Sequence, residues 1–286
     1  MTAADRLRAR LAAGGILSAP GAPDSLAARL VERAGFEAIY MTGFGATASR
    51  LGRPDIGLLT QTEMTTHARD MVRAVTIPII ADADTGYGGP ANIARTMEEY
   101  AQAGVAAVHL EDQVAPKRCG QLAGIRLIDA DEAARRLRCA IASRPAGGPL
   151  VIGRTDAMPA IGPDEAIRRA LMYQDAGVDL VFVDGIKRIE EVEIVARRVP
   201  GPKVVSIVDG NETTALTARM LEQMGFAVVL YAVSMLFAAS KAMAEALAVL
   251  KRDGTPAAAA GAMMTYAEFS GLVDLPRFQK LDEDYG

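Results

Sequence analysis

An amphipathic helical pattern, then Ala-Gly or Met-Gly, then a short apolar run recurs along the chain as ERAGFEAIYMTG, AQAGVAAVHLED, QDAGVDLVFVDG and EQMGFAVVLYAVS. A glycine just past a helix suits the left-handed C-cap. An unbroken apolar run bounded by turn residues suits a strand buried on both faces. Further runs follow Pro-containing turns: IPIIADAD, GPLVIGRTD and GPKVVSIVD. With the opening GGILSAPGA, the pattern predicts eight strands, near residues 16–19, 38–43, 78–84, 106–112, 150–156, 180–185, 203–209 and 228–234. Helical segments such as EMTTHARDMVRAV, NIARTMEEYAQA, DEAARRLRCAIASR and DEAIRRALMYQDA separate most of them, several opening behind Asp, Thr or Pro. Eight βα units in about 240 residues predict an α/β fold, a single (β/α)8 TIM barrel; a doubly wound open sheet is the alternative. No linker or composition shift divides the chain, so one domain over 1–286 is expected, with about 240–286 a C-terminal helical arm. The arm's Phe, Leu and Tyr residues need burial, and a neighbouring subunit would supply it.

Composition narrows the function classes. The net charge is −4, the basic pairs are spread over separate helices, and there is no tryptophan, which argues against a nucleic-acid face. No apolar run reaches the ~18 residues of a membrane span, and the N-terminus lacks a secretory apolar core. Two cysteines argue against a disulfide framework. A cytoplasmic protein is expected.

Catalytic groups of a barrel sit at the carboxyl ends of its strands. Those ends carry Thr42-Gly43, then Asp82, Ala83, Asp84 and TGYGG, then His109, Leu110, Glu111, Asp112, then Arg154, Thr155, Asp156, then Asp184, Ser206 and Asp209. Strand side chains alternate with period two, so Asp82 with Asp84, His109 with Glu111, and Arg154 with Asp156 share faces. Converging carboxylates repel unless a cation sits among them. An all-oxygen donor set favours a hard divalent ion, Mg2+ with Mn2+ as substitute. The competing reading makes Asp112 and Asp156 plain helix caps and TGYGG a phosphate cradle. His67 is expected at the surface and Cys139 in the core.

The motifs MTGFGATASRLGRPDIGLLT, ADADTGYGG, HLEDQVAPKRCG and IGRTDA, in this order, resemble the isocitrate lyase/phosphoenolpyruvate mutase superfamily, in the short branch of 2-methylisocitrate lyases and carboxyphosphonoenolpyruvate phosphonomutase. The resemblance runs over residues 5 to 275. It implies a homotetramer with helices exchanged between subunits, Mg2+, and α-keto or α-hydroxy acids passing through an enolate-like species. By position it implies Asp84 as direct metal ligand, Asp82 and Glu111 holding the ion's waters, and Thr42, Gly43 and Gly45 gripping a carboxylate through backbone amides. Arg154, Asp184 and Ser206 would contact substrate, with Asp55 close by.

The stretch PKRCGQLAG then matches a gating loop, with Cys119 as acid and base and with Lys117 and Arg118 lowering its pKa. The family's Lys-Lys/Arg-Cys-Gly-His ends here in Gln121, which cannot relay a proton. The glutamate expected after strand six is Asp184, and the Glu-Gly-Gly-Lys-Thr-Pro run reads DGNETT, Asp209 to Thr214. The expectation is a Mg2+-dependent carbon–carbon lyase on a 2-hydroxy di- or tricarboxylic acid other than 2-methylisocitrate. The alternatives are a phosphonomutase, an oxaloacetate decarboxylase or hydrolase, or a non-catalytic keto-acid binder.

Overall fold

The computed structural model describes residues 1–286. Its eight strands are β1 (Leu17–Ala22), β2 (Ile39–Met41), β3 (Ile79–Asp82), β4 (Ala107–Glu111), β5 (Leu150–Thr155), β6 (Leu180–Val183), β7 (Lys203–Ile207) and β8 (Val228–Tyr231). They close into one parallel barrel in chain order, β8 pairing back to β1. The TIM barrel is the observed architecture, and the open sheet is excluded. Every predicted strand is present, most of them stopping short of their expected carboxyl ends. β3 ends at Asp82 because Asp84 turns into the left-handed region at φ 47°.

The barrel interior is filled by Leu17, Tyr40, Ile80, Ile152, Phe182 and Leu230 among others. Ala4 and Leu7 of the first helix, Ala3–Ala12, join the same cluster and close its amino end. The helix Gln61–Ala74 opens with a Thr60/Glu63 capping box. His67 falls on its inward stripe with Met64, Ala68 and Met71, and is buried, not at the surface as expected. Cys139 is likewise corrected. It flanks the buried stripe of Ala130–Ala142, is half-buried, and its thiol reaches the Pro90 carbonyl at 3.4 Å.

The chain forms two compact units, Met1–Ser234 and Met235–Gly286. The second contains most of the helix Ser234–Asp253, then a 3-10 segment Ala257–Ala262 and the helices Tyr266–Leu272 and Leu275–Tyr285. No residue of its long helix is buried, and Phe237, Leu247, Phe269 and Phe278 are exposed. No helix is long and apolar enough to cross a membrane.

Candidate active site

Strand register builds the centre. Asp82 pairs with His109 across β3 and β4, and Glu111 with Arg154 across β4 and β5. The Arg154 guanidinium lies 2.8 Å from Asp156, 2.7 Å from Asp184 and 3.4 Å from Glu111. It also stacks 5.5 Å from the Phe182 ring centre. Asp82 accepts the Asp84 amide at 2.9 Å and the Gly43 amide at 3.2 Å. The Tyr100 hydroxyl holds the Asp82 carbonyl at 2.8 Å.

The TGYGG run is a tight turn packed against its own following helix. A Cβ at Gly86 would lie 2.6 Å from Ile93, and one at Gly88 would lie 2.5 Å from Asn92. Neither Asp112 nor Asp156 caps a helix through its side chain. Asp112 accepts from Thr155, the Asp156 amide, Arg169 and Tyr173. Asp156 pairs with Arg154 and accepts Gln113 Nε2 at 3.1 Å.

Between Glu111 and Ala130 the chain has no helix or strand, and it folds over the barrel mouth. Lys117 Nζ donates to Asp55 Oδ2 at 2.8 Å. It lies 2.8 Å from Asp84 Oδ1, an ion pair outside hydrogen-bond geometry. The Cys119 amide donates to the Asp55 carbonyl at 3.1 Å. The expected help for the thiol is absent: Lys117 is spent on two carboxylates, and the exposed Arg118 points to the Ala123 carbonyl at 3.3 Å. Burial pushes the Cys119 thiol up to about 11, with Asp184 and Asp55 adding to the effect. The proton stays on sulfur at neutral pH.

Two residues that sequence reasoning passed over hold this segment. Gln113 grips Arg118 from both sides, donating to its carbonyl at 2.7 Å and accepting its amide at 2.9 Å. Gly120 sits so close to the Arg154 cluster that a Cβ would meet Asp156 at 2.6 Å and Asp184 at 2.7 Å. The signal for Gly120 was its place beside the thiol; Gln113 carried none.

The cavity beneath is about 40 Å3 and is lined by Thr42, Phe44, Cys119, Gln121, Arg154 and Ser206, with Tyr40, Asp55, Asp82, Gly120, Phe182, Asp184, Val208, Ala232 and Val233 completing the wall. Gln121 Nε2 is buried there without a partner. The amides expected to grip a carboxylate are already engaged, Gly43's by Asp82 and Gly45's by the Thr42 hydroxyl at 3.4 Å. A Cβ at Gly43 would lie 2.4 Å from Asp82, so glycine there serves a close approach. Residues 209–214 do not line the cavity; Asn211 and Thr213 knit them into a turn. His109 stands behind the wall, bonded to the Tyr40 hydroxyl at 3.0 Å, and burial lowers its pKa to about 4, so the ring is neutral.

Six carboxylates (Asp55, Asp82, Asp84, Glu111, Asp156 and Asp184) face two cations, Lys117 and Arg154. Burial pushes Glu111 far above the usual carboxylate range, with Asp156 and Asp82 adding to it. Burial, Asp82 and Asp55 push Asp84 up to about 6, against the pull of Lys117. For Asp82 burial is outweighed by the charges of Lys117 and Arg154 and by the Asp84 amide, which hold it below that range. Both Glu111 oxygens and Asp84 Oδ1 lack a hydrogen-bond partner. Such an oxygen-only set, short of positive charge, fits a hard dication. No three of these acids stand together closely enough to hold an ion directly.

The phosphoenolpyruvate phosphomutase family pattern matches residues 7–251. A 2,3-dimethylmalate lyase of Eubacterium barkeri is 38% identical over 100% of this chain and 99% of its own. Among solved structures, oxaloacetate acetylhydrolase with 3,3-difluorooxalacetate superposes with a TM-score of 0.91 at 34% identity, covering 99% of this chain and 97% of the other. Phosphonopyruvate hydrolase in complex with oxalate and Mg2+ superposes at 0.90 and 30% identity, covering 100% and 99%. The chain belongs to the phosphoenolpyruvate phosphomutase family, within the isocitrate lyase/phosphoenolpyruvate mutase superfamily.

Proposed function

We propose that this chain is a carbon–carbon lyase that splits a small, alkyl-substituted 2-hydroxy dicarboxylic acid into an α-keto acid and a second carboxylic acid. The lining of the inner cavity carries this reading. Arg154, Thr42 and Ser206 offer polar contacts, while Phe44, Val208, Ala232 and Val233 make an apolar wall. Arg154 is the one cation in that lining. A third substrate carboxylate would find no partner there, and burying one unpaired is costly. Methyl or longer alkyl groups would suit the apolar wall, consistent with the likeness to a 2,3-dimethylmalate lyase.

Asp84 would hold Mg2+, or Mn2+ in its place, with Asp82 and Glu111 holding its waters. The bound ion would polarise the substrate's hydroxyl and carboxylate and disperse the charge of the keto-acid half. Arg154 binds substrate oxygens through its planar fork. Asp184 lines the cavity, and burial raises its pKa above the usual carboxylate value, with Asp156 and Asp82 adding to the rise against Arg154's pull. It accepts the hydroxyl proton as the C2–C3 bond breaks, the bonding pair leaving with C3. Cys119, protonated at neutral pH, gives its S–H proton to that carbanion; when the loop opens, Asp184 releases the proton it took to water and the thiolate regains one from water, which restores both groups. The Gln121 amide donates to the departing carboxylate. Loop closure excludes water meanwhile.

Hydrolysis of a C–C bond in a four-carbon keto acid is the second reading, favoured by the small cavity and the likeness to oxaloacetate acetylhydrolase. Product analysis on a panel of 2-hydroxy dicarboxylates with and without alkyl groups, oxaloacetate and phosphonopyruvate separates the two. A keto acid released only from alkylated substrates is the expected result; acetate and oxalate from oxaloacetate overturn it. The reading includes a cytoplasmic homotetramer with exchanged helical arms, supported by the exposed Phe237, Leu247, Phe269 and Phe278. Sedimentation at equilibrium tests the tetramer.

A further inference from the structure

The segment between Glu111 and Ala130 separates two cavities. The inner one is the site above. The outer one is about 300 Å3, and its wall includes Ile56, Gln113, Pro116, Arg118 and Arg126. We propose that this outer cavity binds a small dianion bearing carboxylate or phosphate oxygens, and that its occupancy holds the segment closed.

Charge is the first argument. Arg118 and Arg126 both line the cavity, and no acidic residue does. Several other arginines pair with neighbouring carboxylates, as Arg136 with Glu132, Arg168 with Glu165 and Arg198 with Asp164. Arg118 donates only to a backbone carbonyl, and Arg126 pairs with no carboxylate. Lys117 also lines this wall, but its ammonium is spent on Asp55 and Asp84. Two like charges facing one concavity repel, and a bridging dianion removes the repulsion. Guanidinium forks match carboxylate and phosphate oxygens in the plane. The volume lies at the small end of ligand pockets, which favours ions the size of malonate or phosphate.

Connectivity is the second argument. Arg118 and Arg126 stand on the outgoing and returning limbs of the segment. The limbs are tied by the Val114 amide donating to the Arg126 carbonyl at 2.8 Å and by a Gln113–Leu127 bridge. Gln113 clamps the Arg118 backbone, and the next residue is Cys119. A ligand spanning both guanidiniums therefore staples the limbs that carry the thiol over the inner cavity.

Hydrogen exchange of peptides covering residues 113–127 tests this. The intact protein is measured at constant ionic strength with chloride, inorganic phosphate or malonate, beside Arg126→Gln. At ten times its Kd the bound ion should slow exchange about tenfold, and Arg126→Gln should remove the slowing while the barrel strands exchange as before. Slowing by phosphate alone, by malonate alone or by both identifies the source of the oxygens. Equal slowing by chloride, none at all, or slowing that survives Arg126→Gln overturns the proposal, because Arg126 does not line the inner cavity. The readout needs no turnover, so its failure leaves the lyase reading standing and the reverse also holds.

Discussion

Two arginine–carboxylate knots stand back to back at the carboxyl ends of β4 and β5, and they differ in how fully their polar atoms are satisfied. In the outer knot, Asp112 accepts from Thr155 and Tyr173 at 2.7 Å and from the Asp156 amide and Arg169 at 3.0 Å. Arg169 completes itself on Glu165 and the Ile128 carbonyl. In the inner knot, Arg154 is shared by three carboxylates, both Glu111 oxygens lack a hydrogen bond, and a cavity opens in front. Glu111 and Asp112 are chain neighbours, so alternation sends them to opposite sides of the barrel wall. A satisfied network rigidifies a wall, whereas an unsatisfied one is held ready for a ligand.

Substitutions in the two knots should therefore fail in different ways. Asp84→Asn should cost roughly 1000-fold in turnover, on the scale of removing a preorganised electrostatic group. Its melting temperature should hold or rise, because one surplus buried charge is gone; a large fall in stability breaks the distinction. Asp112→Asn is the mirror case. Breaking a buried pair costs about 3–5 kcal/mol, read by urea unfolding, while turnover per folded molecule changes little.

Cys119→Ser should lower turnover about 100-fold, the range of a positioned proton donor, with oxalate binding retained. Unchanged turnover removes the thiol from the mechanism. Gly120→Ala should cost roughly tenfold as its methyl meets Asp156 and Asp184 and holds the loop ajar, a misplacement effect; faster exchange of 113–127 would accompany it. The pH effect is smallest. With its pKa raised to about 11 from 9.0, the neutral thiol's contribution to the closed loop is fully present below pH 9 and lost as pH rises through 11. Alkylation should follow that curve, and a plateau reached by pH 9 contradicts it.

The fold was legible because a parallel barrel writes itself in unbroken apolar runs, and all eight were there to count. The acids and Arg154 were legible because they follow those runs directly. What the loop does was not, since it depends on distances between residues far apart in the chain. Lys117 precedes Cys119 by two positions yet spends its charge on Asp55, 62 residues away. Adjacent cations therefore suggested an acidic thiol where burial makes a weak acid. His67 was misjudged because one polar residue on an apolar stripe looks the same in a list whether its ring is sheltered or exposed. Gly43 and Gly45 were identified as anion grips, but their amides close on Asp82 and Thr42.

The central claim is that the carboxylate surplus around Lys117 and Arg154 takes up a hard dication. Titration of Mn2+ by electron paramagnetic resonance, with oxalate present, addresses it directly. The account predicts saturable binding of one ion per chain that Asp84→Asn weakens at least about tenfold, the scale of losing one direct ligand. No binding by the unmodified protein, or equal binding by Asp84→Asn, contradicts it.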